Sequence, residues 1–233
     1  MEPVYRFFVQ PQIDTQTKMI SGFELLIRQK TAQGWRLPDS FDDIDPEVFA
    51  KLLVVTTRVL APKVEQCSVN ISRQQLMTTT IANALVKCQE QLYPTKLVVE
   101  LTEDESTQTY CTDSVLKHIK TFLQNGMEVS LDDVGSGENY FTEIRELLPY
   151  ASEIKFALQN FKQDFQEPEM QRRVHFWRAI SAEYGVRLVL EGIETQADNQ
   201  LSKKIGIEVK QGYYFGKPRL LTLPQNSERI LAH

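Results

Sequence analysis

Eight polar residues interrupt stretches that otherwise read as buried strands. Glu24 lies in FELLIR, Asn70 in SVNIS, Glu100 in VVELTE and Lys155 in EIKFA; Asp132 and Asp133 end VSLDD, Glu191 follows RLVL, and Gln211 follows IEVK. A carboxylate at the end of an apolar strand is costly unless it is paired, hydrogen-bonded or bound to a metal. Four such acids with the adjacent Asp133 and the Asn70 amide oxygen would repel one another without a counter-charge. Hard oxygen donors in this number suit Mg²⁺ or Mn²⁺, whereas a zinc site would show His or Cys. Two metals bridged by one carboxylate would clamp the attacking and leaving oxygens of a phosphoryl displacement. Glu191 is read as one of the ligands, with Glu194 in LEGIET holding its neighbours or a water.

These residues need elements that bring them together. Short β-rich runs (CSVNI, KLVVEL, EVSL, EIKFA, VRLVL and IEVK) alternate with longer stretches of helical period, the pattern of βα units around a parallel sheet. Asp45-Pro46 reads as a cap with proline in the first turn. Ser72 with Gln75 and Thr195 with Asp198 have capping-box spacing, and Gly126 ends a helix carrying Val115, Ile119 and Phe122. VYRFFVQPQID and ISGFELLIR, separated by the polar residues 15–18, read as a hairpin entering a barrel. In a closed barrel the C-terminal strand ends converge on one face, where such folds build active sites.

The chain has 233 residues, 42% of them hydrophobic, which is enough for one sizeable core, and no linker or low-complexity tract divides it. One domain over 1–233, with no separate regulatory domain, is the expectation. A net charge of −5 supplies no bulk attraction to polymeric nucleic acid or to an anionic membrane. No segment is apolar enough to span a bilayer, and MEPVYRFFVQP is unlike a signal peptide, so a cytoplasmic location is expected. Cys67, Cys88 and Cys111 are odd in number and form no CxxC pair, so reduced thiols are expected. His118, His175 and His233 lack ligand spacing. In QRRVHFWRA, the helical spacing of Met170, Val174 and Trp177 makes the arginines the solvated side of an amphipathic helix. Lys155 by itself is equally compatible with a solvent-facing residue paired to Glu153.

Taken together, GFELLIR, VNIS, ELTE, DDVGSG, LEGIET and QGYYFGKP resemble, in order and over nearly the whole chain, the EAL-domain cyclic di-GMP phosphodiesterases. The resemblance implies an α/β fold, a modified TIM-type (β/α)8 barrel with an antiparallel first strand, and hydrolysis of cyclic di-GMP to linear pGpG with two Mg²⁺ or Mn²⁺ ions. It implies Glu24, Asn70, Glu100 and Asp132 as ligands of one metal and Asp132, Asp133 and Glu191 as ligands of the second. Lys155 matches the lysine that orients the nucleophilic water or stabilises charge near it, Glu194 and Gln211 match supporting residues, and Gln10, Leu26 and Arg28 match substrate contacts, with Gln211 beside them. Glu103 matches the acid that anchors the loop after Asp133. A homodimer through surfaces near that loop is also implied.

The chain departs from the family pattern at several positions. DDVGSGEN carries Val134, Glu138 and Asn139 in unlike positions, which bears on coupling between dimer and metal. Ser152 and Ala157 flank Lys155 where the family shows aspartates; the one missing at 157 normally lies close to the second metal. Leu190 replaces a small residue. A catalytically silent domain that senses cyclic di-GMP or binds a protein is the alternative, and hydrolysis of another phosphodiester is a third. No GGDEF, PAS or receiver-like segment is seen, so control is expected from expression, an unidentified regulatory protein or a missing region.

Overall fold

Placing the acids at one mouth requires a closed sheet, and the hairpin begins it. The computed structural model describes residues 3–102, 111–136 and 139–225. Strands β1 (Tyr5–Asp14) and β2 (Met19–Thr31) pair antiparallel through the polar turn, and β3 (Gly34–Arg36) folds back on the end of β2. The chain then alternates. In order come α1 (Pro46–Leu60), β4 (Gln66–Ser72), α2 (Arg73–Met77), α3 (Thr79–Leu92), β5 (Lys96–Thr102), α4 (Thr112–Gln124), β6 (Glu128–Leu131) and α5 (Phe141–Ile144). They are followed by β7 (Glu153–Ala157), α6 (Pro168–Tyr184), β8 (Arg187–Glu191), α7 (Gln196–Ile205), β9 (Val209–Lys210) and β10 (Arg219–Leu220). Strands β2, β4, β5, β6, β7, β8 and β9 run parallel in that order, and β1 closes the ring between β9 and β2, antiparallel to both. This is the expected eight-stranded barrel with an antiparallel first strand. The short strands β3 and β10, outside the closed ring, are additions that the sequence pattern did not show.

The helix boundaries follow local chemistry. Asp45 accepts from the Glu47 and Val48 N–H groups and Pro46 opens α1, while both proposed capping boxes form at Ser72 and Thr195. Gly126, at φ 77°, stops α4 after Gln124. On α6, Met170, Val174, Trp177 and Ile180 are buried, the apolar stripe expected of QRRVHFWRA.

Alternation along the strands sorts side chains between two environments. Tyr5, Phe7 and Val9 on β1 and Leu25 and Ile27 on β2 are buried on the outer side; Phe7 meets Phe49 of α1 edge-on at 6.0 Å. Gln10, Gln12 and Glu24 have the opposite parity and face the interior, which is polar to its floor. Buried Glu153 accepts from Ser130 Oγ at 3.2 Å and from Arg187 Nε at 2.7 Å, closing the N-terminal end of the barrel. Glu153 therefore pairs with Arg187, not with Lys155. Lys155, two residues along β7, is 1% exposed, so the solvent-facing reading of this lysine is overturned.

Candidate metal centre

Strand parity puts Glu24 of β2, Asn70 of β4, Glu100 of β5, Lys155 of β7 and Glu191 of β8 inside the C-terminal mouth; Asp132 follows β6 and Gln211 follows β9. Lys155 is the hub. Its Nζ lies 2.8 Å from Glu100 Oε2, 2.7 Å from Glu191 Oε1, and 3.7 Å from both Glu24 Oε1 and Asp132 Oδ1. Asn70 Nδ2 donates to Glu24 Oε1 at 2.8 Å, and Gln211 Nε2 donates to Glu24 Oε2. Gln211 also donates to Gln10 Oε1 at 3.3 Å, and Gln10 donates to the Gly216 carbonyl at 3.1 Å.

The loop after β6 is built to present two adjacent acids. Asp133 adopts φ 51°, and its Oδ1 accepts from Asn160 at 2.7 Å. Such a left-handed φ is strained for a residue with a β-carbon, so surrounding bonds must hold it. Asn139 supplies several: its Nδ2 donates to the Asp132 carbonyl at 2.5 Å, its own carbonyl accepts from the Gly135 N–H at 2.9 Å, and Arg73 donates to its Oδ1 at 2.8 Å. From the sequence, Asn139 is a departure from the family pattern in a loop that bears on coupling between dimer and metal. The structure makes it a buried tie. Gly135, at φ 90°, lies where an added β-carbon would sit 2.6 Å from Trp177 Nε1. Gly212, at φ 153°, has the Ile193 carbonyl in the same role at 2.2 Å, which locks the turn carrying Gln211.

Asp132, Asp133 and Glu191 each offer an oxygen, all within 4.8 Å of one another. Glu100 Oε1 and Gln211 Oε1 are buried acceptors with no donor among the described residues. The clustered oxygens of Asp132, Asp133 and Glu191 fit a divalent cation. Leu26 and Arg28 occupy the next two inward positions up β2. Glu194 stands apart: it is exposed on the loop after β8, and no hydrogen bond of its side chain joins it to this cluster among the described residues. Glu103 and Glu138 lie outside the described residues.

Burial and crowding set the charges. Burial lifts Glu100 well above the carboxylate range against the pull of Lys155, with Glu24, Asp132 and Glu191 adding repulsion. Asp132 is pushed up to about 7 by burial against the pull of Lys155, with Asp133 and Glu24 adding repulsion. Glu191 rises to about 8, again chiefly through burial. For Glu24, burial is outweighed by Lys155 and by the amides of Asn70 and Gln211, so it stays below the usual range and ionised. Burial pulls Lys155 down, but four carboxylates more than offset it and hold the ammonium well above its ordinary value.

The family model described as EAL domain matches residues 5–218. The chain belongs to the EAL domain family. Among curated proteins it is 28% identical over 152 residues to the cyclic di-GMP phosphodiesterase PdeR of Escherichia coli K12, covering 65% of this chain and 22% of PdeR. This EAL chain spans less than half the length of the curated relatives it matches. A standalone EAL protein of Vibrio cholerae O395, solved with cyclic di-GMP, superposes with a TM-score of 0.75 at 20% identity over 96% of both chains. Klebsiella pneumoniae BlrP1, solved with manganese or calcium and cyclic di-GMP, gives 0.75 in each case; the manganese form is 22% identical and covers 94% of this chain and 57% of that one.

The protonation pattern makes metal binding and pH inseparable. Unfolded Asp and Glu ionise near about pH 4, while native Asp132 and Glu191 keep their protons to about 7 and 8. Between about pH 4 and 8 the native state therefore binds more protons, and these two groups cost the metal-free protein stability as pH rises through that window. The depressed Glu24 acts below it and the raised Lys155 above it. A divalent cation takes the ionised acids, so its stabilisation should grow over the same window. Thermal unfolding with EDTA and with Mn²⁺ should show the metal-induced rise in Tm increasing from pH 6 to pH 8; a rise that is flat or shrinking with pH contradicts the assignment.

Proposed function

We propose that this domain hydrolyses cyclic di-GMP to linear pGpG at the strand-end acids. The observation that carries the reading is the convergence of Asp132, Asp133 and Glu191 beside a fully buried lysine, in a family whose curated relatives include named cyclic di-GMP phosphodiesterases. Glu24, Asn70, Glu100 and Asp132 would hold one Mg²⁺ or Mn²⁺, and Asp132, Asp133 and Glu191 the second. Bound there, the cations would lower the pKa of a water and neutralise charge on the phosphate. The chain's own groups do the rest. Lys155 keeps a fixed positive charge at the reacting centre and neutralises acids that would otherwise repel an anion. Asn70 and Gln211 orient Glu24, Asn160 and Asn139 hold the Asp132–Asp133 turn, and Gln10, Leu26 and Arg28 line the way in. Glu194 would act only from the rim.

Ala157 favours a second reading, a domain that binds cyclic di-GMP without efficient turnover. It shares the inward face of β7 with Lys155 and pairs in register with Glu191, yet offers no oxygen. A homodimer also belongs to the proposal. Tyr140 and Phe176 are exposed beside Gly135 and next to the Phe141–Trp177 aromatic cluster, a surface suited to a second copy against the Asp132–Asp133 loop. A cytoplasmic location and an unidentified regulatory protein remain parts of the same reading. Among the described residues no helix is long and apolar enough to cross a membrane.

Asp132→Ala and Glu24→Ala should each lower cyclic di-GMP turnover in Mg²⁺ by at least about 100-fold while far-UV circular dichroism shows a folded protein. Wild-type rates in either variant would remove the assignment, and a wild type that binds without cleaving would leave the sensor reading. Ala157→Asp adds a hard oxygen opposite Glu191, so its half-saturating Mg²⁺ should fall by about tenfold, with lower stability in EDTA from added repulsion. An unchanged or higher half-saturation would place position 157 outside the second metal's reach. Light scattering should give a dimer that Phe176→Asp dissociates; a wild-type monomer at every workable concentration contradicts that surface.

A further inference from the structure

The hairpin rises beyond the carboxylate ring, and its inward face carries a charge pattern that the metal chemistry does not use. In the β1–β2 register Phe8 stands opposite Leu26 and Arg6 directly opposite Arg28; Lys30 stands opposite Trp35 in the β2–β3 register. These residues share the parity of Glu24 and Gln10, so one continuous wall climbs from the acids through Leu26 to the two arginines. Exposure follows the same rule. Tyr5, Phe7, Leu25 and Ile27 are buried in the core, whereas Arg6, Phe8, Leu26 and Arg28 are half-buried on the open side. Phe8 and Trp35 meet edge-on at 6.2 Å, fixing an aromatic corner beside the cations.

Directly opposite positions on an antiparallel pair bring β-carbons to roughly 5 Å, and like charges there destabilise the sheet. Neither guanidinium forms an ion pair with a carboxylate among the described residues; each donates only to the carbonyl preceding it, Arg6 to Tyr5 at 2.9 Å and Arg28 to Ile27 at 2.8 Å. Two half-buried arginines opposite one another, neither in an ion pair among the described residues and with only the Glu24 carboxylate, lower on the same face, attracting Arg28, make a fork for an anion. Glu24 and Arg28 are four residues apart on this face, about 13 Å along an ideal strand. That sets the cation pair above the acids on the same wall.

We propose that Arg6 and Arg28 together form a second phosphate subsite, with the Phe8–Trp35 corner as a shelf for a purine, and that this wall selects ligands carrying two phosphates. The inference rests on the proposed cyclic di-GMP reading and adds Arg6, Phe8 and Trp35 to it as specificity residues. It also explains why the sheet tolerates a repulsive pair: the pair costs stability in the free protein and is neutralised by the ligand.

The test is calorimetric titration of cyclic di-GMP into wild type, Arg6→Ala, Arg6→Lys and Trp35→Ala in Ca²⁺ buffer, repeated at several salt concentrations, with thermal unfolding of each protein alone. Arg6→Ala should weaken binding by about tenfold or more and reduce the slope of log affinity against log salt by about one, while Arg6→Lys recovers part of both. Trp35→Ala should weaken binding by at least about fivefold with the salt slope unchanged. Ligand-free Arg6→Ala should melt at least as high as wild type at low salt. Wild-type affinity and slope in Arg6→Ala overturn the subsite even where turnover proves the hydrolase. Arg6-dependent binding without turnover keeps the subsite and removes the hydrolase. A wild type that does not bind cyclic di-GMP removes both.

Discussion

One buried ammonium lies among four carboxylates, and the mouth of the barrel is arranged around that imbalance. Lys155 contacts acids from β2, β5 and β8 and from the end of β6. It cannot neutralise them all, so Asp132 and Glu191 are forced toward protonation while Glu24, with two amide donors of its own, stays ionised. Removing one partner of a buried charged group is far more costly than removing an exposed one. This cluster is therefore expensive to hold without cations, and the surrounding fold supplies the rigidity to hold it.

That rigidity has identifiable sources. Strand alternation sends Ile154 and Phe156 outward into the helical layer, so Lys155 between them has no alternative direction. The Asp133 backbone is held in a left-handed conformation by a loop whose bonds converge on Asn139, and Gly212 admits the Ile193 carbonyl at a distance no other residue would permit. Farther from the chemistry, Glu153 with Arg187 and Ser130 ties β6, β7 and β8 together at the barrel floor. The same hairpin that closes the ring extends past it and carries the Arg6–Arg28 pair, joining the ring's one antiparallel strand to the proposed ligand wall.

The metal set, the loop and the hairpin wall also divide the labour in a physically sensible way. The acids lie on or directly after parallel strands, where backbone hydrogen bonds fix their positions. The contacts proposed to discriminate between ligands lie on the longer, more exposed hairpin, whose inward-facing side chains stand outside the apolar core. Ala157 is the exception. It is an inward strand position, in register with Glu191, that carries a core residue's side chain.

Much of this was legible in the residues alone. Apolar runs of strand length alternating with helical periods indicate βα units around a parallel sheet, the family resemblance adds the closed barrel, and the capping residues at Asp45, Ser72 and Thr195 set helix starts through bonds that are local in sequence. Acids interrupting those runs had to find partners, which identified Glu24, Glu100, Asp132 and Glu191. The short β3 and β10 were not legible, since strands of two or three residues carry no periodicity. Only the tertiary structure decided which partner each charge takes. Lys155 and Glu153 lie on one strand and are separated by the height of the barrel, Asn139 is buried by a loop that folds back, and Arg6 faces Arg28 through a register that no local signal encodes. Local bonds are written in adjacent residues; charge pairing and burial depend on distances between strands far apart in the chain, and those exist only once the ring has closed.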